Sequence, residues 1–146
     1  MIVRDYRLKD IVKVWALYSR LHFPKDIFSL LIKVIVCVLP GAFKGIFNPL
    51  FFDVLVCELD KKIVGFGYLK GDYDKEESSF AIAVDSMYEN IGIGTLLTKG
   101  ILDTARIRGY KIVRLSVSPT NLPAVKIYEN LGFKTVKISM GFRIDG

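Results

Sequence analysis

Residues 79–84, Ser-Phe-Ala-Ile-Ala-Val, form a short apolar run rich in strand formers, and from Thr95 to Arg108 the apolar positions Leu96, Leu97, Ile101, Leu102 and Ala105 recur at helical spacing. This change of period predicts a strand, a loop and a helix in that order. The same reading places a strand over residues 1–4 and a helix over 8–20 with Ile11, Val14, Trp15 and Tyr18 facing inward. A second, unusually apolar helix is expected from Lys25 or Asp26 to Val38, followed by a loop over 41–49 that carries Phe43, Ile46 and Phe47. Residues 52–59 and 63–70 predict a hairpin around Asp60-Lys61-Lys62, and 71–77 a polar turn. Further on come a strand over 112–118, a helix opened by Asn121, and one or two strands within 133–144. Strands and helices in this order predict an α+β fold with a mixed, mostly antiparallel sheet in one domain over residues 1–146.

The loop between strand and helix, Glu89-Asn90-Ile91-Gly92-Ile93-Gly94-Thr95, carries the first candidate chemistry. A helix begins with unpaired N–H groups and a partial positive charge, and glycines let backbone amides crowd around an anion that side chains would block. A phosphate or diphosphate suits such a loop. The dinucleotide fingerprint needs a third glycine and a later acidic residue, but Gly94 is followed by Thr95-Leu96-Leu97. The Walker loop needs a Gly-Lys-Ser/Thr run, which is also missing here. The second candidate is the segment Asn121-Leu122-Pro123-Ala124-Val125-Lys126-Ile127-Tyr128, ending in Gly132-Phe133. Asn121 suits an N-cap, Pro123 the first turn and Gly132 a left-handed stop, and Asn121, Ala124 or Val125, and Tyr128 share one face.

In this order and spacing the two segments resemble the GNAT N-acetyltransferases, and most closely their protein N-terminal, ribosomal-protein-alanine type. That family pairs Gln/Arg-x-x-Gly-x-Gly/Ala with Asn-x-x-Ala-x-x-x-Tyr and a closing Gly-Phe. The resemblance implies an α/β/α sandwich of about six or seven strands and about four helices, with acetyl-CoA as cosubstrate and no metal. It implies a diphosphate held by residues 89–95, Glu89, Asn90, Ile91, Gly92, Ile93, Gly94 and Thr95. Glu89 departs from the family, which usually has a basic or amide side chain there, so the backbone is expected to do more of the work. The resemblance also implies that strands ending near Val84 and Ser118 splay apart to admit the pantetheine arm, with Ile82, Ala83 and Val84 offering backbone hydrogen bonds. Ala124 would let the arm approach closely, Asn121 would bond one of its amides, and Tyr128 would act as general acid toward the departing thiolate.

A base is harder to find. Family members often carry a glutamate on the fourth or fifth strand, where this chain has Ser78 and Ser116. Glu77 is the candidate base, on condition that a bulge turns it to the proper face, and Glu76 shares that face but falls near the turn. The shortage bears on the acceptor. At pH 7 an α-amine of pKa about 7.8 is neutral in about one molecule in seven, and a lysine amine near 10.4 in about one in 2,500. A site without a strong base suits the former, so a protein or peptide N-terminus is the favoured acceptor. Phe23-Pro24 resembles the acceptor-side loop of that branch. A small-molecule amine acetyltransferase and a noncatalytic acyl-CoA-binding module remain as alternatives.

Composition narrows the picture further. The net charge of +6 suits a cofactor bearing several phosphates, and the absence of a basic helix with interleaved aromatics argues against a dedicated nucleic-acid reader. Lys33 interrupts the apolar run 27–39 and Pro40-Gly41 ends it, so no membrane span is expected. Arg4, Asp5 and Arg7 come too early for a secretory leader, which makes the cytoplasm the expected location. Cys37 and Cys57 read as reduced core thiols and His22 as a loop residue, with no metal spacing among them. The apolar segment 27–52 is expected to line a peptide groove, a homodimer interface or simply the core.

Overall fold

The computed structural model describes residues 1–21, 52–71 and 76–135. The elements are β1 (Ile2–Asp5), a 3-10 turn (Leu8–Asp10), α1 (Ile11–Arg20), β2 (Phe52–Leu59), β3 (Lys62–Gly71), β4 (Glu77–Val84), a second 3-10 turn (Ser86–Tyr88), α2 (Ile93–Arg108), β5 (Ile112–Arg114) and α3 (Leu122–Asn130). They divide between two compact units, Met1–Ser116 and Val117–Gly146. The helix expected over 25–38, the loop over 41–49, His22, Phe23, Pro24 and Cys37 lie outside the described residues, as do 136–144 of the expected last strands.

In the first unit the five strands form one sheet in chain order, antiparallel from β1 to β4 and parallel between β4 and β5. The hairpin turn is tighter than expected. Only Asp60 and Lys61 stand outside the strands, with φ of 48° and 62°, the left-handed pair that a two-residue hairpin turn requires. Further along the hairpin the register passes from Cys57↔Gly65 to Glu58↔Ile63, which leaves Val64 as the extra residue of a β-bulge.

Among the described residues each face of the sheet is covered by one helix. Val14, Leu17 and Tyr18 of α1 pack with Val56, Ile63, Phe66 and Ala83. On the opposite face α2 lies so close that a methyl group on Gly65 would sit 3.1 Å from Leu97 and one on Gly67 would sit 2.8 Å from Ile101. Trp15, expected in the core, is instead 40% exposed. It stands about 100° around the helix from Val14, and Leu17 takes the inward place. Cys57 is a free thiol buried in β2, and burial pushes its pKa up.

The expected helix over 8–20 divides at Asp10, whose buried carboxylate serves another purpose than capping. Arg4 reaches from β1 to bond both oxygens of Asp10, at 2.7 and 2.9 Å, and also bonds Glu58 of β2, while the Arg7 N–H donates to Asp10 at 2.9 Å. The Arg4 guanidinium holds both carboxyls below their usual ranges. Groups with depressed pKa values stabilise the fold above their unfolded pKa values and lose that contribution as pH falls through the folded ones. Urea midpoints should therefore stay level from pH 7 down to about 5 and fall below about pH 4. A midpoint unchanged down to pH 2 would show that this triad contributes nothing.

Candidate coenzyme site and proton donor

β4 leads directly into the glycine loop. Asp85, buried at its end, adds one rung to the β3–β4 ladder by donating its N–H to Val64 C=O at 2.9 Å. Its side chain accepts the Met87 N–H at 3.1 Å and so caps the second 3-10 turn. Asn90 and Gly92 then take left-handed conformations, with φ of 63° and 88°. α2 begins at Ile93, two residues ahead of the expected start, so Gly94 and Thr95 belong to its first turn.

The chemistry of the helix start suits an anion. Its cap residue is Gly92, which has no side chain to bond the first amides, and the first turn carries no acidic residue. The first helical bond runs from Leu96 N–H to Gly92 C=O at 3.0 Å, so the N–H groups of Ile93, Gly94 and Thr95 precede the ladder. A Cβ on Gly92 would meet nothing within 4 Å. Ile93 is buried against the sheet, and the Thr98 hydroxyl donates to Gly94 C=O at 2.8 Å, which holds the turn in place. Unpaired amides, the positive end of a sixteen-residue helix and open space at Gly92 fit a diphosphate.

An open strand edge lies beside this turn. β4 pairs with β3 without a register shift from Gly71↔Ser78 to Gly65↔Val84, but β5 pairs only with Glu77, Ser78 and Ser79. β5 stops at Arg114, four residues short of the expected end. From Phe80 to Val84 the second edge of β4 has no strand partner among the described residues. Since Asp85 bonds β3, the alternation of an antiparallel ladder turns the peptide groups of Ile82 and Val84 to the open edge and those of Ala83 toward β3. Of the three residues expected to bond a pantetheine arm, Ile82 and Val84 are suitably turned and Ala83 is not.

The condition attached to Glu77 is not met. β4 is regular, with no bulge, and Arg114 holds the Glu77 carboxylate through two bonds of 2.7 and 2.6 Å. That pairing keeps Glu77 below the usual carboxylate range and makes it a weaker base. Ser78 is buried, with its hydroxyl donating to Ile112 C=O at 3.2 Å, and Ser116 is exposed. Glu76, in the bend before β4, pairs with Lys111.

The second unit contains α3. Asn121 caps it, accepting the Ala124 N–H at 3.3 Å, with Pro123 in the first turn. Gly132, at φ 90°, ends it, with its N–H on Glu129 C=O and the Phe133 N–H on Tyr128 C=O, both at 3.0 Å. Asn121 is exposed, Ala124 is half-buried and Tyr128 is buried, its ring edge-on to Phe133 with centroids 5.7 Å apart. Burial pushes the Tyr128 phenol above its ordinary range, so it stays protonated, and able to donate, at neutral pH. Asn90 was named from sequence but its left-handed conformation was not, and neither Asp85 nor its partner Arg20 was singled out. Asp85 before Ser86-Met87 is a readable cap signal, whereas Arg20 is 65 positions away and gives none.

Fold and loop together define a class: an α+β domain with a helix N-terminus and an open strand edge suited to a phosphorylated, amide-bearing coenzyme. The chain belongs to the acetyltransferase (GNAT) family, whose model matches residues 41–133. It is 30% identical over 90 residues to a mycothiol acetyltransferase of Thermomonospora curvata, covering 62% of this chain and 30% of that one. It is 29% identical over 103 residues to an N-alpha-acetyltransferase of Sulfurisphaera tokodaii, covering 62% of each. This chain therefore spans only part of the length of these curated relatives. The fold is also that of yncA, a putative acetyltransferase from Salmonella typhimurium solved with its cofactor acetyl-CoA (TM-score 0.73, 18% identity, 94% of this chain and 81% of that one). Among the described residues no group of three His, Cys, Asp or Glu could hold a metal ion, and no helix is long and apolar enough to cross a membrane.

Proposed function

We propose that this protein transfers the acetyl group of acetyl-CoA to a primary amine, and that its favoured acceptor is the N-terminal amine of a protein or peptide. The observation that carries the first part is the glycine-capped, acid-free start of α2 directly after a strand with an open edge. The amides of Ile93, Gly94 and Thr95 would hold the diphosphate, and the peptide groups of Ile82 and Val84 the pantetheine arm; Asn121 and Ala124 are proposed as further groups for that arm from the family resemblance alone. The neutral amine nitrogen attacks the thioester carbonyl carbon, a backbone N–H such as that of Val84 steadies the developing oxyanion, and the C–S bond breaks. Tyr128 gives its phenolic proton to the leaving sulfur as charge builds there, the ammonium proton departs to water, and water returns a proton to the Tyr128 phenolate, so that no proton is gained or lost overall.

The preference for an α-amine follows from the chemistry of the acceptor side. Serines stand at positions 78 and 116, and Glu77 is held by Arg114, so among the described residues neither family position offers a strong base. An acceptor already neutral in about one molecule in seven at pH 7 needs none. The name of the archaeal relative, N-alpha-acetyltransferase, supports this reading, while that of the mycothiol enzyme supports a small-molecule acceptor as the second one. Mass spectrometry after incubation with acetyl-CoA and a panel of peptides, polyamines, aminoglycosides and aminothiol sugars should show one added acetyl group on peptide N-termini. Turnover confined to the small amines would establish the second reading. CoA binding without any transfer would leave only a binding module.

A further inference from the structure

The loop that forms the proposed cradle has no cation of its own. Residues 85–98 contain two carboxylates, Asp85 and Glu89, and neither lysine nor arginine. A guanidinium reaches it from another element. Arg20, the last residue of α1, places Nη1 3.4 Å from Oδ2 of Asp85, while its Nε–H donates to Ala16 C=O at 3.2 Å and steadies the side chain against its own helix. Asp85 is well placed to pass such a contact on. Its side chain is 7% exposed, its other oxygen takes the Met87 N–H, its own N–H bonds Val64 at the bulge of β3, and its C=O accepts the Tyr88 N–H at 2.8 Å. The path of residues 85–88 toward Asn90 and Gly92 is set by these three hydrogen bonds, with the Arg20 ion pair beside them.

We infer that Arg20 is a positioning residue for coenzyme binding: through Asp85 it orients the entry of the cradle, and it offsets a carboxylate that would otherwise repel the diphosphate. The inference rests on the coenzyme reading above. Orientation and charge are separable, because Asp85→Asn keeps an oxygen for the Met87 N–H while removing the charge. Arg20 itself is 60% exposed, so its contribution is modest and its loss leaves the fold standing.

Calorimetric titration of the full chain with CoA, alongside thermal melting, tests this. Arg20→Gln should weaken CoA by about fivefold with little change in melting temperature, Arg20→Lys should recover most of the loss, and Arg20→Gln with Asp85→Asn should bind more tightly than Arg20→Gln alone. Raising salt should narrow the gap between Arg20→Gln and wild type, since screening weakens the unmasked repulsion. Unchanged affinity in Arg20→Gln would overturn the inference. So would a loss that the added Asp85→Asn fails to relieve, which would mark Arg20 as a plain structural contact. Absence of CoA binding by the wild-type protein would instead overturn the coenzyme reading, a result distinguishable from both.

Discussion

Replacing Tyr128 by phenylalanine should lower kcat by about a hundredfold or more while leaving CoA affinity within about twofold of wild type. The substitution keeps the ring, its burial and the edge-on contact with Phe133, and removes only the hydroxyl. A thiolate leaving group, with a pKa near 8.5 by analogy with cysteine, can depart unaided, but more slowly than one that receives a proton as the C–S bond breaks. A phenol whose pKa is raised by burial is a donor across the whole neutral range. The sign of the pH dependence follows. Tyr128 should add no loss of rate as pH rises from 6 to 9, and its titration should appear only above the ordinary phenol pKa of about 10. A rising limb between pH 6 and 9 would belong to the acceptor amine losing its proton, and it should persist in Tyr128→Phe at lower absolute rates. Unchanged turnover in the variant would remove Tyr128 from the acid role. A parallel loss of CoA affinity would make its hydroxyl a binding group instead.

Much of this site could be seen in the chain because its parts are local. Asn121 as cap, Pro123 in the first turn and Gly132 as stop are decided by bonds that span three or four residues, and each takes the conformation expected of it. The glycine loop is local too, although Ile93 and Gly94 join the helix because burial of Ile93 against the sheet extends it backward. Where packing between distant elements decides, pattern was a poorer guide. Trp15 fits a helical apolar stripe as well as Leu17 does, and only the sheet beneath α1 selects Leu17. From Val113 to Ser118 apolar and polar side chains alternate as in a strand, yet a ladder ends where its neighbour leaves it, and β5 leaves β4 after Arg114. Glu77 depended on a bulge that the regular β3–β4 register does not supply, while the bulge that does occur, at Val64, faces the other hairpin strand. Ion pairs between elements, Arg4 with Asp10 six residues on and with distant Glu58, or Arg20 with Asp85, have no periodic signature at all.

Gly92→Val should weaken CoA binding on the order of 100-fold, the cost of about one or two charge-assisted amide bonds. Two effects act together. At φ 88° a β-branched residue is strained by about 1–3 kcal/mol, and relief of that strain would rotate the peptide groups that open α2. The new side chain would also fill the space beside the first-turn amides, where nothing stands within 4 Å of a Cβ. Gly109 separates these effects from plain loss of stability. It caps the other end of the same helix at φ 83°, and it too has no neighbour within 4 Å of a Cβ. Gly109→Val should therefore lower the urea midpoint about as much as Gly92→Val, yet leave the CoA dissociation constant unchanged. If both variants lost CoA equally, binding would depend on the integrity of α2 rather than on its N-terminal amides. If neither lost it, the diphosphate would have to be held by groups other than the backbone of residues 92–95, and the acid-free start of the helix would be a structural accident.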